Sequence, residues 1–344
     1  MTKYLFVVLA SSELGFGHLN RCINLTKKIK TRSISFFIIG DIKAEKILRD
    51  QQIKCFKFLN IKKLKNINVK FKDDIFFDKV IFDISNPNFK FYRDFEKKLI
   101  SPIRIRSNHI IIIDSDYQNQ LIKNRTALYD MLIIPYFQKR EIKNKKKNIL
   151  IGSKYAMLEK RYSYLKKSII SKNVEKVLLS CGGADPNQDT LKVLMALNSF
   201  NKKLKVKVII GPFFSKKLIS NIKILSKSFA HSISLIENET NLKKYFTWCD
   251  LAITSSGLTK YELAACGVPS ISIALDYQSE EFNKVMQRKN ILVNANYEIS
   301  LVKLKYLINN LMINYKKRLN ISRTAQKLVD GNGLQRVVNA IEKL

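Results

Sequence analysis

Short apolar runs alternate with longer segments of helical periodicity along this 344-residue chain. The runs have the length and composition of strands that are buried on both faces of a parallel sheet. Their regular alternation with helices is typical of a doubly wound α/β fold. The sequence therefore predicts an α/β protein whose strands are residues 4–9, 35–39, 79–82, 110–113 and 131–134, and then 176–180, 205–210, 232–236, 251–254 and 270–274.

A polar, basic stretch at about residues 138–173 separates the two series of predicted strands. The length also suits two domains, since a domain has roughly 150 residues. We therefore expect an amino-terminal domain of residues 1–172 and a carboxy-terminal domain of residues 173–344. Ligands of open parallel sheets bind at the carboxyl ends of the strands. The two domains are thus predicted to hold a phosphorylated small molecule in a cleft between them.

The chain carries a net charge of +34, from 62 Lys and Arg against 28 Asp and Glu. Such a charge suits nucleic acid, an anionic membrane surface or a phosphorylated substrate. The basic residues are spread over most of the helical segments and form no recognisable nucleic-acid-binding module. We therefore expect no specific nucleic-acid partner and at most peripheral contact with a membrane.

Five cysteines are scattered without the paired spacing of a zinc site or of a disulfide framework. This pattern predicts a protein of a reducing compartment, the cytoplasm, with no metal. The apolar run at residues 4–10 leads into a glycine-rich turn, so we expect it to be the first strand and not a signal peptide.

The turn after the first strand contains Gly15, Gly17 and His18, and Arg21 follows closely. Glycines allow a ligand to approach the backbone, and an imidazole exchanges protons near neutral pH. His18 is therefore predicted to be the catalytic residue, with a purely structural histidine as the alternative.

Two further glycine-rich turns follow predicted strands of the second half, one with Gly182-Gly183 and one with Ser256-Gly257. Free backbone N–H groups in such turns can bind a diphosphate, although ordinary turn chemistry is the alternative. Thr259 and Glu262 have the spacing of a capping box, in which Glu262 returns to a backbone N–H. Glu262 is therefore open to two interpretations, a ligand contact or a helix cap.

Carboxylates follow two predicted strands of the first half. Asp83 comes after residues 79–82, and Asp114 comes after residues 110–113. At the carboxyl edge of a parallel sheet these side chains can bind sugar hydroxyls or assist a base. Capping of the next helix is the alternative interpretation.

Four blocks of residues occur in order along the chain. They are Gly15-Phe16-Gly17-His18 with Arg21, Gly152 with Tyr155, Ala156 and Leu158, Ser180-Cys181-Gly182-Gly183 with Asp185 and Pro186, and Gly257 with Thr259, Glu262, Gly267, Pro269 and Ser270. Together they resemble the UDP-sugar hydrolases of pseudaminic acid biosynthesis and their spore-coat polysaccharide relatives. The last block is also similar to the N-acetylglucosaminyltransferase that makes lipid II. Both families have the GT-B arrangement of two Rossmann-like domains, so the resemblance implies that fold.

The resemblance implies a UDP-sugar substrate, with UDP bound mainly by the second domain and with neither cofactor nor metal. The UDP-binding residues would be Gly182, Gly183, Ser256, Gly257, Thr259 and Glu262, the last of them on the ribose. The sugar would lie against Gly17, Arg21, Asp83, Asp114 and Gln278. His18 would activate water for attack at the anomeric carbon and so release UDP from a 2,4-diacetamido-2,4,6-trideoxy sugar with inversion.

The chain differs from the hydrolase pattern at two positions that the family places near the sugar. Asp83-Ile84-Ser85 stands where the family has a tyrosine, and Tyr277-Gln278 stands where it has an Asn-Gln pair. Two activities therefore remain open from the sequence. The first is hydrolysis of the UDP-sugar, and the second is glycosyl transfer on the same scaffold, in which an acceptor hydroxyl takes the place of water.

Overall fold

A computed structural model describes residues 2–11, 15–31, 33–60, 75–84, 99–115, 129–139, 148–166 and 169–344. The chain forms two compact units, here called unit 1 (residues 1–157 and 333–344) and unit 2 (residues 158–332). The division falls after Met157, whereas the sequence analysis expected it after residue 172. The last helix returns to unit 1.

The elements alternate between strands and helices along most of the chain. They are β1 (Tyr4–Ala10), α1 (Gly17–Thr26), β2 (Ile34–Gly40), α2 (Ile42–Asp50), β3 (Cys55–Asn60), β4 (Phe77–Asp83), α3 (Ser101–Arg104), β5 (Ser107–Ile113), β6 (Met131–Ile134), β7 (Ile149–Ile151), β8 (Lys176–Ser180), α4 (Asp189–Asn198), β9 (Lys205–Ile209), α5 (Lys216–Lys227), β10 (Ser232–Ile236), α6 (Lys243–Phe246), β11 (Leu251–Ser255), α7 (Thr259–Ala265), β12 (Ser270–Ile273), α8 (Tyr277–Arg288), β13 (Val293–Ala295), α9 (Leu301–Ile313), α10 (Tyr315–Leu328) and α11 (Gly333–Glu342).

The sheet of unit 1 has seven parallel strands in the order β3-β2-β1-β4-β5-β6-β7. Its interior strand β1 is buried along its whole length, which explains the continuous apolar run in the sequence. The order of the strands reverses between β1 and β4. In doubly wound sheets a ligand crevice lies at the carboxyl ends of the strands beside this reversal.

The sheet of unit 2 has six parallel strands in the order β10-β9-β8-β11-β12-β13. Its order reverses between β8 and β11, so the carboxyl ends of these two strands form the corresponding crevice. Each unit has its own apolar core, built from the buried faces of its strands and the helices packed on them. No helix in the described part of the chain has the length and apolar character to cross a membrane. The predicted fold class, two parallel-sheet α/β domains, is confirmed.

Candidate functional site

The turn after β1 carries His18 to the carboxyl edge of the sheet in unit 1. Gly15 N donates to Ser11 O over 2.8 Å and closes the turn. Gly15 has a φ of +85°, a left-handed conformation that favours glycine. Helix α1 begins at Gly17, so His18 lies in its first turn.

His18 is hydrogen-bonded to a carboxylate beneath it. His18 Nδ1 lies 2.5 Å from Asp83 Oδ1, and the His18 side chain is 23% exposed whereas that of Asp83 is fully buried. Asp83 ends β4, the neighbour of β1, so the two residues meet where the strand order reverses. The sequence singled out both residues, and the sheet places them in contact.

Asp83 is also paired with the buried guanidinium of Arg21, whose Nε and Nη2 donate to the two carboxylate oxygens. Burial by itself would raise the pKa of Asp83, but Arg21 and His18 outweigh it and hold this pKa well below its usual range. Asp83 is therefore ionised and accepts hydrogen bonds without donating any. It follows that His18 Nδ1 donates the hydrogen of this bond, so Nε2 is the ring nitrogen at which His18 can accept a proton.

Two residues that the sequence analysis did not single out complete this group of side chains. Arg21 Nη1 donates to the hydroxyl of Tyr136, and the guanidinium carbon lies 5.5 Å from the ring centroid. Cys22 Sγ donates to Asp83 Oδ2 over 3.4 Å. Tyr136 follows β6 just as Asp83 ends β4, so the rule that found Asp83, a polar residue at a strand end, would have found Tyr136 too. We call His18, Arg21, Cys22, Asp83 and Tyr136 the His18 cluster.

Arg21 and Asp83 were predicted to contact the sugar, but the structure gives both side chains other partners. They are 2% and 0% exposed, their charges are engaged with each other, and Asp83 also accepts from His18. Asp114 follows β5, is likewise buried, and accepts from Ser115 N over 2.5 Å. Burial therefore assigns Arg21 and Asp83 to holding His18 in place.

The remaining residues predicted near the sugar are more open. A Cβ on Gly17 would meet no described atom within 4 Å, so the backbone is accessible at the start of α1. Gln278 is half-buried in the first turn of α8, after the exposed Tyr277. Ser85, where the family pattern has its tyrosine, lies outside the described residues.

In unit 2 the turn after β8 is packed closely against its neighbours. Gly182 has a φ of +77°, and a Cβ there would lie 3.3 Å from Ser255 Oγ. Phe213 N donates to Gly183 O over 2.9 Å. A Cβ on Gly211 would lie 2.4 Å from the carbonyl oxygens of both Gly182 and Gly183. The backbones of the two turns therefore approach so closely that residue 211 has room for glycine alone.

The turn after β11 lies beside the turn after β8, where the strand order of unit 2 reverses. Thr254 Oγ1 donates to Ser180 O over 2.7 Å and joins the ends of the two strands. Gly257 has a φ of +148°, and a Cβ there would meet no described atom within 4 Å. The sheet thus places at one edge the predicted UDP-binding residues Gly182, Gly183, Ser256 and Gly257.

Glu262 does not belong to a helix cap. Helix α7 begins at Thr259, the preceding Leu258 already has helical dihedrals, and no side chain caps this helix. The capping-box interpretation of Thr259 and Glu262 is therefore wrong. A capping box is formed instead at the start of α8, between Asp276 and Ser279.

The half-buried carboxyl of Glu262 has an unusual pKa. Burial raises the pKa of Glu262 to about 7, with a further rise from Glu159 that Arg161 opposes. Burial and the neighbouring Glu262 also raise the pKa of the Tyr162 hydroxyl. Within the described residues no side chain donates a hydrogen bond to Glu262. Its carboxyl is therefore available to a hydroxyl group of a ligand.

Comparison with curated proteins finds two relatives. The chain is 28% identical over 295 residues to the uncharacterised protein MJ1062 of Methanocaldococcus jannaschii, covering 81% of this chain and 56% of that protein. It is 24% identical over 179 residues to the spore coat polysaccharide biosynthesis protein SpsG of Bacillus subtilis, covering 51% and 52% of the two chains. The chain therefore spans about half the length of the curated relatives it matches.

Solved structures share the fold over the full length of the chain. MurG of Acinetobacter baumannii superposes with a TM-score of 0.67 at 13% identity, covering 99% of this chain and 100% of MurG. Alr3699/HepE of Anabaena, solved in complex with UDP-glucose, has a TM-score of 0.57 at 13% identity, covering 100% of both chains. These likenesses show that the two parallel-sheet units have the GT-B glycosyltransferase fold.

A match to a family model assigns the chain to a protein family. The model described as lipid-A-disaccharide synthetase, LpxB, matches residues 154–341, more than half of the 344 residues. The matched range contains the glycine-rich turns of unit 2 and Glu262. With this match and the GT-B fold, the chain belongs to the lipid-A-disaccharide synthetase family.

Proposed function

We propose that the chain acts on a UDP-linked sugar, with His18 as the general base that activates the nucleophile for attack at the anomeric carbon. The observation that carries this proposal is the hydrogen bond from His18 Nδ1 to the buried, ionised Asp83. It fixes the imidazole tautomer and leaves Nε2 as the proton acceptor. Among the described residues no group is bonded to Nε2. A positioned base of this kind typically accelerates a reaction about 10²- to 10⁴-fold.

Asp83 and Arg21 are positioning residues in this proposal. The buried carboxylate orients the imidazole and stabilises the imidazolium that forms when His18 accepts a proton, as a carboxylate does for the histidine of a catalytic triad. Arg21 in turn holds both oxygens of Asp83 through its bidentate pairing. We assign contacts with the sugar itself to Gly17 and Gln278, since Asp114 is as buried as Arg21 and Asp83.

Unit 2 supplies the proposed nucleotide site. The turns of Gly182-Gly183 and Ser256-Gly257 bring backbone and hydroxyl groups to the reversal of strand order, where nucleotides bind in doubly wound sheets. Thr259 and the free carboxyl of Glu262 follow this edge, and we assign Glu262 to the ribose hydroxyls. The likeness to HepE, which was solved with UDP-glucose, supports a UDP-linked substrate.

Hydrolysis is the first candidate reaction. Water gives a proton to His18 Nε2 and bonds to the anomeric carbon, while the bond from that carbon to the phosphate oxygen breaks and UDP leaves. The proposed substrate is a UDP-linked 2,4-diacetamido-2,4,6-trideoxy sugar, consumed in pseudaminic acid biosynthesis in the cytoplasm. The similarity to SpsG supports this place among enzymes of surface-polysaccharide synthesis.

Glycosyl transfer is the second candidate reaction, and the match to the lipid-A-disaccharide synthetase family favours it. An acceptor hydroxyl then replaces water and gives its proton to the same nitrogen of His18. The site requires no other change, because the base, its carboxylate partner and the nucleotide contacts are common to both reactions.

The test is the substitution His18→Asn, with UDP release measured from the UDP-linked diacetamido sugar. We expect turnover to fall by about 10²- to 10⁴-fold, while the affinity for UDP, measured by calorimetry, stays unchanged because we assign its contacts to unit 2. The matched control is His109→Asn on β5, which removes a second histidine of unit 1 outside the His18 cluster. Equal turnover in His18→Asn and the wild type would overturn the proposal.

Labelled water separates the two candidate reactions. In ¹⁸O water, hydrolysis by attack at carbon places the label in the free sugar, and label in UDP would contradict attack at the anomeric carbon. UDP release that is negligible until a sugar or lipid acceptor is added would instead establish the transferase.

A further inference from the structure

Lys260 is a buried lysine in the second position of α7, only 6% exposed. Its ammonium donates to Asn283 Oδ1 over 2.9 Å. No carboxylate forms an ion pair with it in the described part of the chain. Burial lowers the pKa of Lys260 to about 8, a change that Asp276 partly offsets. Burying an ammonium without a charged partner destabilises a fold, so its presence in this position calls for a functional reason.

The Lys260 ammonium and the carbonyl of Ser272 together determine which way the amide of Asn283 faces. A lysine ammonium has donors and no acceptor, so the atom of Asn283 that faces Lys260 must be the carbonyl oxygen. The amide nitrogen of the fully buried Asn283 then donates to Ser256 Oγ over 3.2 Å and to Ser272 O over 3.1 Å. Lys260 on one side and the Ser272 carbonyl on the other thus hold Asn283 as the donor to Ser256.

Ser256 stands beside Gly257 in the turn after β11. Its oxygen accepts from Asn283, and its own hydrogen is directed to Ile273 O at 3.3 Å. This last distance is long for an O–H···O bond, which is usually about 2.5–3.0 Å. The Ser256 hydroxyl is therefore a donor that lacks a good acceptor inside the protein. Each bond in such a chain also polarises the next and strengthens the final donor.

We propose that Lys260 is a positioning residue for the diphosphate of the nucleotide, because it acts through Asn283 to hold the Ser256 hydroxyl as a donor to a phosphate oxygen. This inference rests on the proposed binding of UDP. We call Lys260, Asn283 and Ser256 the relay. The Lys260 ammonium stays inside the protein, and the Ser256 hydroxyl donates to the phosphate of the ligand.

The test compares UDP with uridine, which lacks the phosphates, by calorimetry on the full chain. We expect Lys260→Met to lower the affinity for UDP about tenfold and to leave the affinity for uridine unchanged. Ser256→Ala should have the same effect, and the double variant should be no weaker than Ser256→Ala, because both changes remove one donor. Lys227→Met, which removes an exposed lysine of α5, is the control for the loss of one positive charge.

A second variant keeps the test informative if Lys260→Met folds poorly. Asn283→Asp gives Lys260 an ion pair but replaces the nitrogen that donates to Ser256 by an acceptor. We expect this variant to be folded, to bind uridine normally and to bind UDP about tenfold more weakly. Normal UDP binding by Asn283→Asp, or additive losses in the double variant, would overturn the relay. A wild type that binds neither ligand would overturn the proposed function, and the relay with it.

Discussion

Replacement of Glu262 by glutamine should raise the stability of the protein and lower its affinity for UDP. The carboxyl is half-buried, and burial raises its pKa to about 7 from an ordinary value of 4.5. A carboxyl whose pKa is higher in the folded protein than in the unfolded chain binds its proton more tightly when folded. Its contribution to stability is therefore complete below about pH 4.5 and is lost as the pH rises through about 7.

The size of this loss follows from the difference in pKa. A rise of about 2.5 pKa units, at about 1.4 kcal/mol for each unit, corresponds to about 3.5 kcal/mol above pH 7. Because the side chain keeps part of its contact with solvent, screening reduces this figure to about 1–2 kcal/mol. Glutamine carries no charge and avoids the loss. We therefore expect Glu262→Gln to be more stable than the wild type by about 1–2 kcal/mol at pH 8, and equally stable at pH 4.

The same substitution removes the charged group that we assign to the ribose of UDP. A hydrogen bond to a charged group contributes about 1.5–3 kcal/mol, so the affinity for UDP should fall about tenfold or more at pH 8. The variant is thus expected to be more stable and to bind its ligand less tightly. A residue kept for stability alone would not show this combination.

Urea unfolding at several pH values measures the first effect, and calorimetry with UDP measures the second. The matched control is Glu175→Gln, the same substitution at an exposed position of unit 2, which should change neither quantity. A stability difference that does not vary with pH would refute the argument from burial. Wild-type UDP affinity in Glu262→Gln at pH 8 would refute the assignment to the ribose.

Two further substitutions test the packing around the site. Asp83→Asn leaves the charge of Arg21 buried without its partner, so the free energy of unfolding should fall by about 3–5 kcal/mol near neutral pH. Because Arg21 and His18 outweigh burial and hold the pKa of Asp83 below its usual range, the stabilisation is complete above about pH 4 and is lost progressively as the pH falls below it. Urea unfolding should therefore show the stabilities of the wild type and Asp83→Asn converging in acid. A stability difference that stays constant with pH would contradict the pairing. Gly211→Ala places a Cβ against the carbonyl oxygens of Gly182 and Gly183, so we expect a loss of about 1–3 kcal/mol in stability together with weaker UDP binding. Unchanged UDP affinity in this variant, measured by calorimetry, would show that the turn after β8 does not bind the nucleotide.

The central strands could be predicted from the sequence alone. Strands such as β1 are buried on both faces, and a strand covered on both faces must be apolar at every position, which leaves a continuous run in the sequence. The strands that the sequence analysis missed, β3, β7 and β13, all lie at edges of the two sheets. They are short or carry polar residues, as the Lys57 of β3 and the Asn294 of β13 show. Their pairing is visible only once the neighbouring strand is in place.

The sequence also indicated which side chains lie together, because a doubly wound topology places the residues that follow strands at one edge of the sheet. This is why His18 and Asp83, far apart in the chain, could be expected at the same edge, where they are in contact. The sequence predicted that Arg21 and Asp83 contact the sugar, and it could not show that the two side chains form a buried pair instead. This pairing depends on the distance between α1 and the end of β4.

The interpretation of Glu262 was decided by the backbone. Thr259 and Glu262 have the spacing of a capping box, and only the helical dihedrals of Leu258 show that no cap forms there. The relay from Lys260 likewise requires Asn283, a residue of another helix. Apolar periodicity is a local property, so the sequence determined the interior strands and the fold class, and it predicted which residues follow those strands at one edge of each sheet. The partner of a buried polar group is set by the approach of segments distant in the chain, so the tertiary structure alone decided which side chains are engaged and which are left for a ligand.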